Sequence, residues 1–251
     1  MEPVAGGNDS VLGRLLEEIS WEGSSVRRYR DGGRGLENVL TAEVLTALDF
    51  LPRRAFLGAV LDHAHGADEA RRLLSRQVEE ATLTFLPEEI VLRPDQRSRG
   101  ERLIVQPDAS LSAASAYALV EAKRIRRSSF QPQQLAREYL GLTRDAGTRV
   151  PLLLVILGAA PPVAIVGGGR MTIEDAIASH LPVVHGLMGD HPVPLEELAA
   201  RMPDVCAWTT WRELTDVVLE QQSRLAVTDP SAAGSIDRLV TSLVRSVARH
   251  S

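Results

Sequence analysis

The sequence contains a single cysteine, Cys206, which excludes an intramolecular disulfide and a cysteine-based metal cluster. No apolar run reaches the roughly 18 residues of a membrane span. The longest, VPLLLVILGAAPPVAIVGG, is broken by glycine and two prolines. The opening residues MEPVAGGNDS lack the basic and apolar regions of a secretory signal, so the expectation is a cytoplasmic protein without membrane association. There is no nucleophile elbow of the kind that carries a Ser-His-Asp triad, and the six histidines match no zinc spacing. Lysine is equally scarce. Of the 28 basic residues, only Lys123 is not arginine.

What is present is enough for one sizeable core: 251 residues, 44% of them hydrophobic. Residues 1–10 read as a tail. A short helix is expected over SVLGRLLEEIS, then a Gly-rich turn. LENVLTAEVLTALDFL follows as an amphipathic helix with Leu36, Val39, Leu40, Val44, Leu45 and Leu48 on one side. RRAFLGAVLDHA and ADEARRLLSRQVEEAT complete an N-terminal helical section. The period then changes, and TLTFLPEEIVLRP, GERLIVQPDASL and YALVEAKRI read as three strands, the last two joined near SAASA. QPQQLAREYLGLTRDAG is a helix ending at Gly147, and VPLLLVILGA a buried strand. Thr172 and Asp175 suit the start of a further helix, before a loop-rich segment holding His180, His185 and His191. VCAWTTWRELTDVVLEQQSRL reads as a strand then a helix, TDPSAAGS as a linker, and IDRLVTSLVRSVA as a terminal helix. This order implies an α/β fold with a mixed central sheet flanked by helices. Residues 11–227 form the domain, and 228–251 a linker and helix packed on it or on a partner.

Net charge is −5, but residues 93–149 hold 11 basic and 6 acidic residues, a local +5. That segment surrounds one constellation, where a polyanion would have to dock. Asp108 follows Pro107, and Glu121-Ala122-Lys123 comes 13 residues after Asp108. On a strand, Glu121 and Lys123 share a face while Ala122 points into packing. Pairing across the turn brings Asp108 towards Glu121. Two such carboxylates are hard oxygen ligands suited to Mg²⁺, with Mn²⁺ as substitute. Lys123 has a role there that a guanidinium cannot fill. Its compact ammonium can orient an attacking water and exchange a proton, whereas arginine stays protonated. The plainer alternative is a strand-end salt bridge between Glu121 and Lys123.

Pro107-Asp108, a hairpin-length gap and Glu121-x-Lys123 on an apolar strand resemble the core motif of the PD-(D/E)xK nucleases, the restriction-endonuclease-like superfamily. The order of helix, three strands, helix and buried strand is similar too. The resemblance implies a restriction-endonuclease-like fold and a Mg²⁺-dependent endonuclease acting on DNA. Asp108 and Glu121 would bind metal and Lys123 would support the nucleophilic water. Many members add a glutamate from the first core helix, for which Glu37 is the best match and Glu43 the rival. Many also place a glutamine on the helix after the lysine strand. Gln134 is favoured here over Gln133. Arg124, Arg126 and Arg127, with Arg99, would contact phosphates, which supplies affinity without sequence information. Many such enzymes dimerise to cut two strands, so a homodimer fits the resemblance.

The alternatives are a nuclease-fold module that binds nucleic acid or protein without cleaving, and an unrelated α/β domain with an accidental motif. Other features read more plainly. Gly167 to Gly169 suit a tight turn, because they lack the spacing of a phosphate-binding loop. Asp62, His63 and His65 read as a solvated helix end, Trp208 and Trp211 as core anchors, and Cys206 as a small buried residue.

Overall fold

A computed structural model describes residues 34–92, 103–123, 125, 129–167, 169–188 and 191–250. The expected helix over SVLGRLLEEIS and the residues Arg99, Arg124, Arg126 and Arg127 lie outside the described residues.

Three helices open the described chain: α1 (Arg34–Phe50), α2 (Leu57–His63) and α3 (Asp68–Gln77). The α1 stripe of Leu40, Val44, Leu45 and Leu48 is buried, as the helical period requires. β1 (Thr82–Phe85) follows. The run read as a single strand breaks after it. Leu86 takes a positive φ of 43°, the next residue is a proline without an N–H, and the chain resumes as β2 (Ile90–Leu92) in another sheet. The second expected strand is likewise split at Gln106-Pro107-Asp108 into β3 (Leu103–Val105) and β4 (Ala109–Ser112). β2 and β3 pair with each other antiparallel. The break at Leu86 is tied down where the site begins, its N–H donating to the Asp108 carbonyl at 2.8 Å.

β4 turns through residues 113–115 into β5 (Ala116–Ala122), with Ala109 opposite Val120 and Ser112 opposite Tyr117. The chain then makes a short β6 (Ser129–Phe130) and enters α4 (Pro132–Asp145), whose proline sits in the first turn, where no N–H is needed. α4 is the crossover that returns the chain as β7 (Val150–Leu157), parallel to β5. β7 is an interior strand of the sheet, buried at every position after Val150, which is why it reads as an unbroken apolar run. β8 (Val163–Ile165) and β9 (Arg170–Met171) join β6 in a three-stranded sheet, around a turn where Gly167 and Gly169 take positive φ.

The segment expected to be loop-rich is largely helical: α5 (Ile173–Met188) and α6 (Leu195–Val205). Pro182 lies inside α5, against the usual rule, because Ile177, Leu181, Val184 and Met188 form a buried stripe that carries the helix through it. β10 (Cys206–Thr210) completes a five-stranded sheet in the order β1-β4-β5-β7-β10. Its first three strands are antiparallel and its last three run parallel. α7 (Trp211–Arg224) starts on a full capping box, in which Thr210 accepts from the Glu213 N–H and the Glu213 carboxylate accepts from Thr210. α8 (Pro230–His250) packs on α1 and α7. It begins earlier than expected, since Asp229 accepts from the Ser231 N–H at 2.8 Å and Pro230 is tolerated at a helix start. Residues 230–235 are therefore helical, and the link is 225–229.

The sheet divides the interior into two cores. Ala116, Ala118, Val120 and Ala122 of β5 face α1, α2, α3, α7 and α8, whereas Leu119, Leu153 and Val155 face α4, α5 and α6. The result is a mixed α/β architecture with helices on both faces. One glycine is indispensable to the packing of α2 and α3 against β10. Gly66 has φ 77°, and a Cβ there would lie 2.5 Å from the Cys206 carbonyl oxygen.

Candidate active site

The alternation of β5 decides where its motif points. Tyr117, Leu119 and Glu121 lie on the α4 face, and Ala122 faces the other core, as the sequence predicts. Lys123 follows the strand, its N–H donating to the Ile156 carbonyl at 2.7 Å, so the β5–β7 ladder holds it in phase. The Lys123 carbonyl accepts from the Trp211 indole N–H at 2.7 Å. Trp211 is thus a core anchor that also fixes the end of the motif strand. The carboxyl ends of parallel β5, β7 and β10 meet here, the usual place for a site in an α/β sheet.

Asp108 immediately precedes β4, and continuing the ladder places it opposite Glu121. Its Oδ2 accepts from the Ala122 N–H at 2.7 Å, which locks the carboxylate to the middle of the Glu121–Lys123 motif. Glu121 is buried, and its Oε1 accepts from Lys123 Nζ and from Gln134 Nε2, the latter at 2.8 Å. The salt bridge that the sequence offered as the plain alternative therefore forms, within a larger cluster. Gln134 is the glutamine that enters it. Gln133 is exposed on α4.

Glu138 is the member that the sequence reading missed. It lies one turn beyond Gln134 on α4, is fully buried, and accepts from Gln134 Nε2 at 2.9 Å. The same amide thus bridges two carboxyl groups. Burial first, then the charge of Glu121, and last a hydrogen bond between the two carboxyl groups raise the Glu138 pKa well above the ordinary 4.5; the Lys123 ammonium and the Gln134 hydrogen bond pull it back. Two oxygens of the cluster, Glu121 Oε2 and Glu138 Oε2, are buried without a hydrogen-bond partner. The signal was available, because Glu138 lies between Leu135, Tyr139 and Leu142 on the buried side of α4.

Of the two glutamates considered on the first core helix, Glu37 is helical, and its side chain lies outside the described residues. Glu43 is half-buried, with an unpartnered buried Oε2. Among the described residues no three His, Cys, Asp or Glu side chains already form a metal-holding group.

The secondary candidates resolve as packing. His65 is more than a solvated helix end. It makes an isolated β-bridge to Trp208, stacks on its ring at 4.1 Å and bonds Glu213 at 3.0 Å. Cys206 is buried, which raises its thiol pKa and leaves it inert. The outer side of α8 presents Arg238, Arg245 and Arg249, with Asp237, Thr241 and Ser242, around a depression of about 450 Å³. This cationic edge is hidden when the helix is read by its apolar stripe alone. Among the described residues, no helix is long and apolar enough to cross a membrane. Comparison with family models, curated proteins and solved structures gave no match.

Proposed function

We propose that the protein is a metal-dependent nuclease of PD-(D/E)xK type that hydrolyses phosphodiester bonds in DNA. One observation carries this reading. Glu121 and Lys123, read from their spacing on a strand, and Gln134, implied by the family resemblance, meet in one hydrogen-bonded cluster, and Asp108 accepts from the Ala122 backbone N–H between the first two. Further support comes from the order helix, β1, β4, β5, α4, β7, which is similar to the element order that the resemblance implies, with the β2–β3 pair inserted.

The residues suit a divalent cation. Asp108 and Glu121 offer hard carboxylate oxygens, and Glu121 Oε2 is buried with nothing bound to it. They are the residues that would hold Mg²⁺ or Mn²⁺, with Glu37 as a further carboxylate. Such an ion supplies Lewis-acid polarisation of a phosphate and acidifies a bound water. The chain's own residues do the rest. Gln134 holds the Glu121 carboxylate in one rotamer. Lys123 releases one of its N–H groups to orient water and to neutralise charge gathering on the phosphate. Arg99, Arg124, Arg126 and Arg127 hold the phosphate backbone.

The test is cleavage of supercoiled plasmid and of labelled single strands in Mg²⁺, Mn²⁺ or EDTA, with Asp108→Asn beside the wild type. Asparagine retains an oxygen for the Ala122 N–H, so the fold is expected to survive. Metal-dependent cleavage by the wild type, reduced to background in the variant, is the expected result. Cleavage that persists in EDTA or in the variant would refute the reading.

A further inference from the structure

We propose that Glu138 is a cation ligand of this site, a carboxylate on α4 that faces the Glu121 carboxylate on β5. The inference rests on the reading above that Glu121 helps to hold a divalent ion. Its grounds are geometric. Glu121 is 3% exposed and Glu138 0%, and each has one buried oxygen, Oε2, without a partner. Their other oxygens are fixed, because Gln134 Nε2 donates to both Oε1 atoms, at 2.8 and 2.9 Å. One amide therefore holds two carboxyl groups together and leaves one unsatisfied oxygen on each.

Unsatisfied buried carboxylate oxygens are costly, and a position of this volume in the core would be filled more cheaply by an apolar side chain. Lys123 supplies a single positive charge to the pair and is bonded to Glu121 Oε1. A divalent cation supplies both the missing charge and the missing partner. Two carboxylates from the protein suffice for Mg²⁺, which keeps several of its waters. Gln134 is then a positioning residue, setting the spacing of the two carboxyl groups.

The experiment is calorimetric titration of the metal-free full chain with Mn²⁺, for the wild type, Glu138→Gln, Glu138→Met and Asp108→Asn. The glutamine variant keeps an acceptor for Gln134 and the methionine variant keeps the volume, so at least one should fold, as checked by circular dichroism. The expected result is a loss of about 10-fold or more in Mn²⁺ affinity in whichever Glu138 variant folds, a typical cost of disturbing a metal site. Wild-type affinity in a folded Glu138 variant, together with weak binding by Asp108→Asn, would overturn this inference and leave the nuclease reading standing. A wild type that binds no Mn²⁺ would overturn both.

Discussion

Replacing Lys123 with methionine is expected to destabilise the metal-free protein by about 3–5 kcal/mol at pH 8, the usual cost of removing one partner of a buried ion pair. Lys123 is the ammonium bonded to Glu121, in a site where both side chains are almost enclosed, 12% and 4% exposed. It also lowers the energy of the charged form of Glu138, which burial and Glu121 oppose. Without it, two carboxyl groups share a buried space, with Gln134 Nε2 donating to both. Methionine fills the volume of the stem, so the loss measures charge and not a cavity. The cost should shrink as pH falls, because burial and the charge of Glu121 hold the Glu138 carboxyl above the ordinary range and its protonation removes the repulsion. Urea denaturation in EDTA across a descending pH series checks this. Equal stability of variant and wild type at pH 8 would mean that the cluster is solvated and its charges screened.

The second large effect has the opposite sign. Glu138→Gln is expected to stabilise the metal-free protein at neutral and alkaline pH. The folded-state pKa of Glu138 is raised above the ordinary 4.5, so the folded chain holds a proton that the unfolded chain releases. In the window from 4.5 upward to the raised value, stability falls as pH rises, by up to about 1.4 kcal/mol per unit for one proton. Below that window the group is neutral in both states and costs nothing. Glutamine does not titrate. The gap between variant and wild type should therefore be near zero at pH 4 and widen steadily above pH 5. Urea midpoints in EDTA across that range provide the measurement. A constant offset at all pH values would show that Glu138 ionises normally, and that its burial is compensated.

Much of this site could be read from residue order. Asp108, Glu121 and Lys123 are legible because strand alternation and a short hairpin leave their side chains little choice of face. Gln134 came from the family resemblance, which implies a glutamine on the helix after the lysine strand. Glu138 was not legible, because an acid in an Arg-rich segment reads as a solvated charge unless its helical phase is compared with Leu135, Tyr139 and Leu142. The fold shows the same division. The central strands β5 and β7 declare themselves by apolar content, and α4 by its period. The breaks at Leu86 and at Gln106-Pro107 are set by backbone geometry and pairing, which a β-rich run conceals. α5 persists through Pro182, and α8 starts at Pro230, because tertiary burial and a capping aspartate outweigh local preference.

The lone lysine among arginines offers the most direct test of the account. Lys123→Arg keeps the positive charge beside Glu121, so the variant should fold. It replaces a compact ammonium with a fork that cannot give up a proton. Plasmid cleavage in Mg²⁺ should fall at least about 100-fold relative to the wild type, the lower range for loss of a positioned acid–base group. Arginine-variant cleavage at the wild-type rate would contradict the role assigned to Lys123 and, with it, the hydrolytic centre built around it.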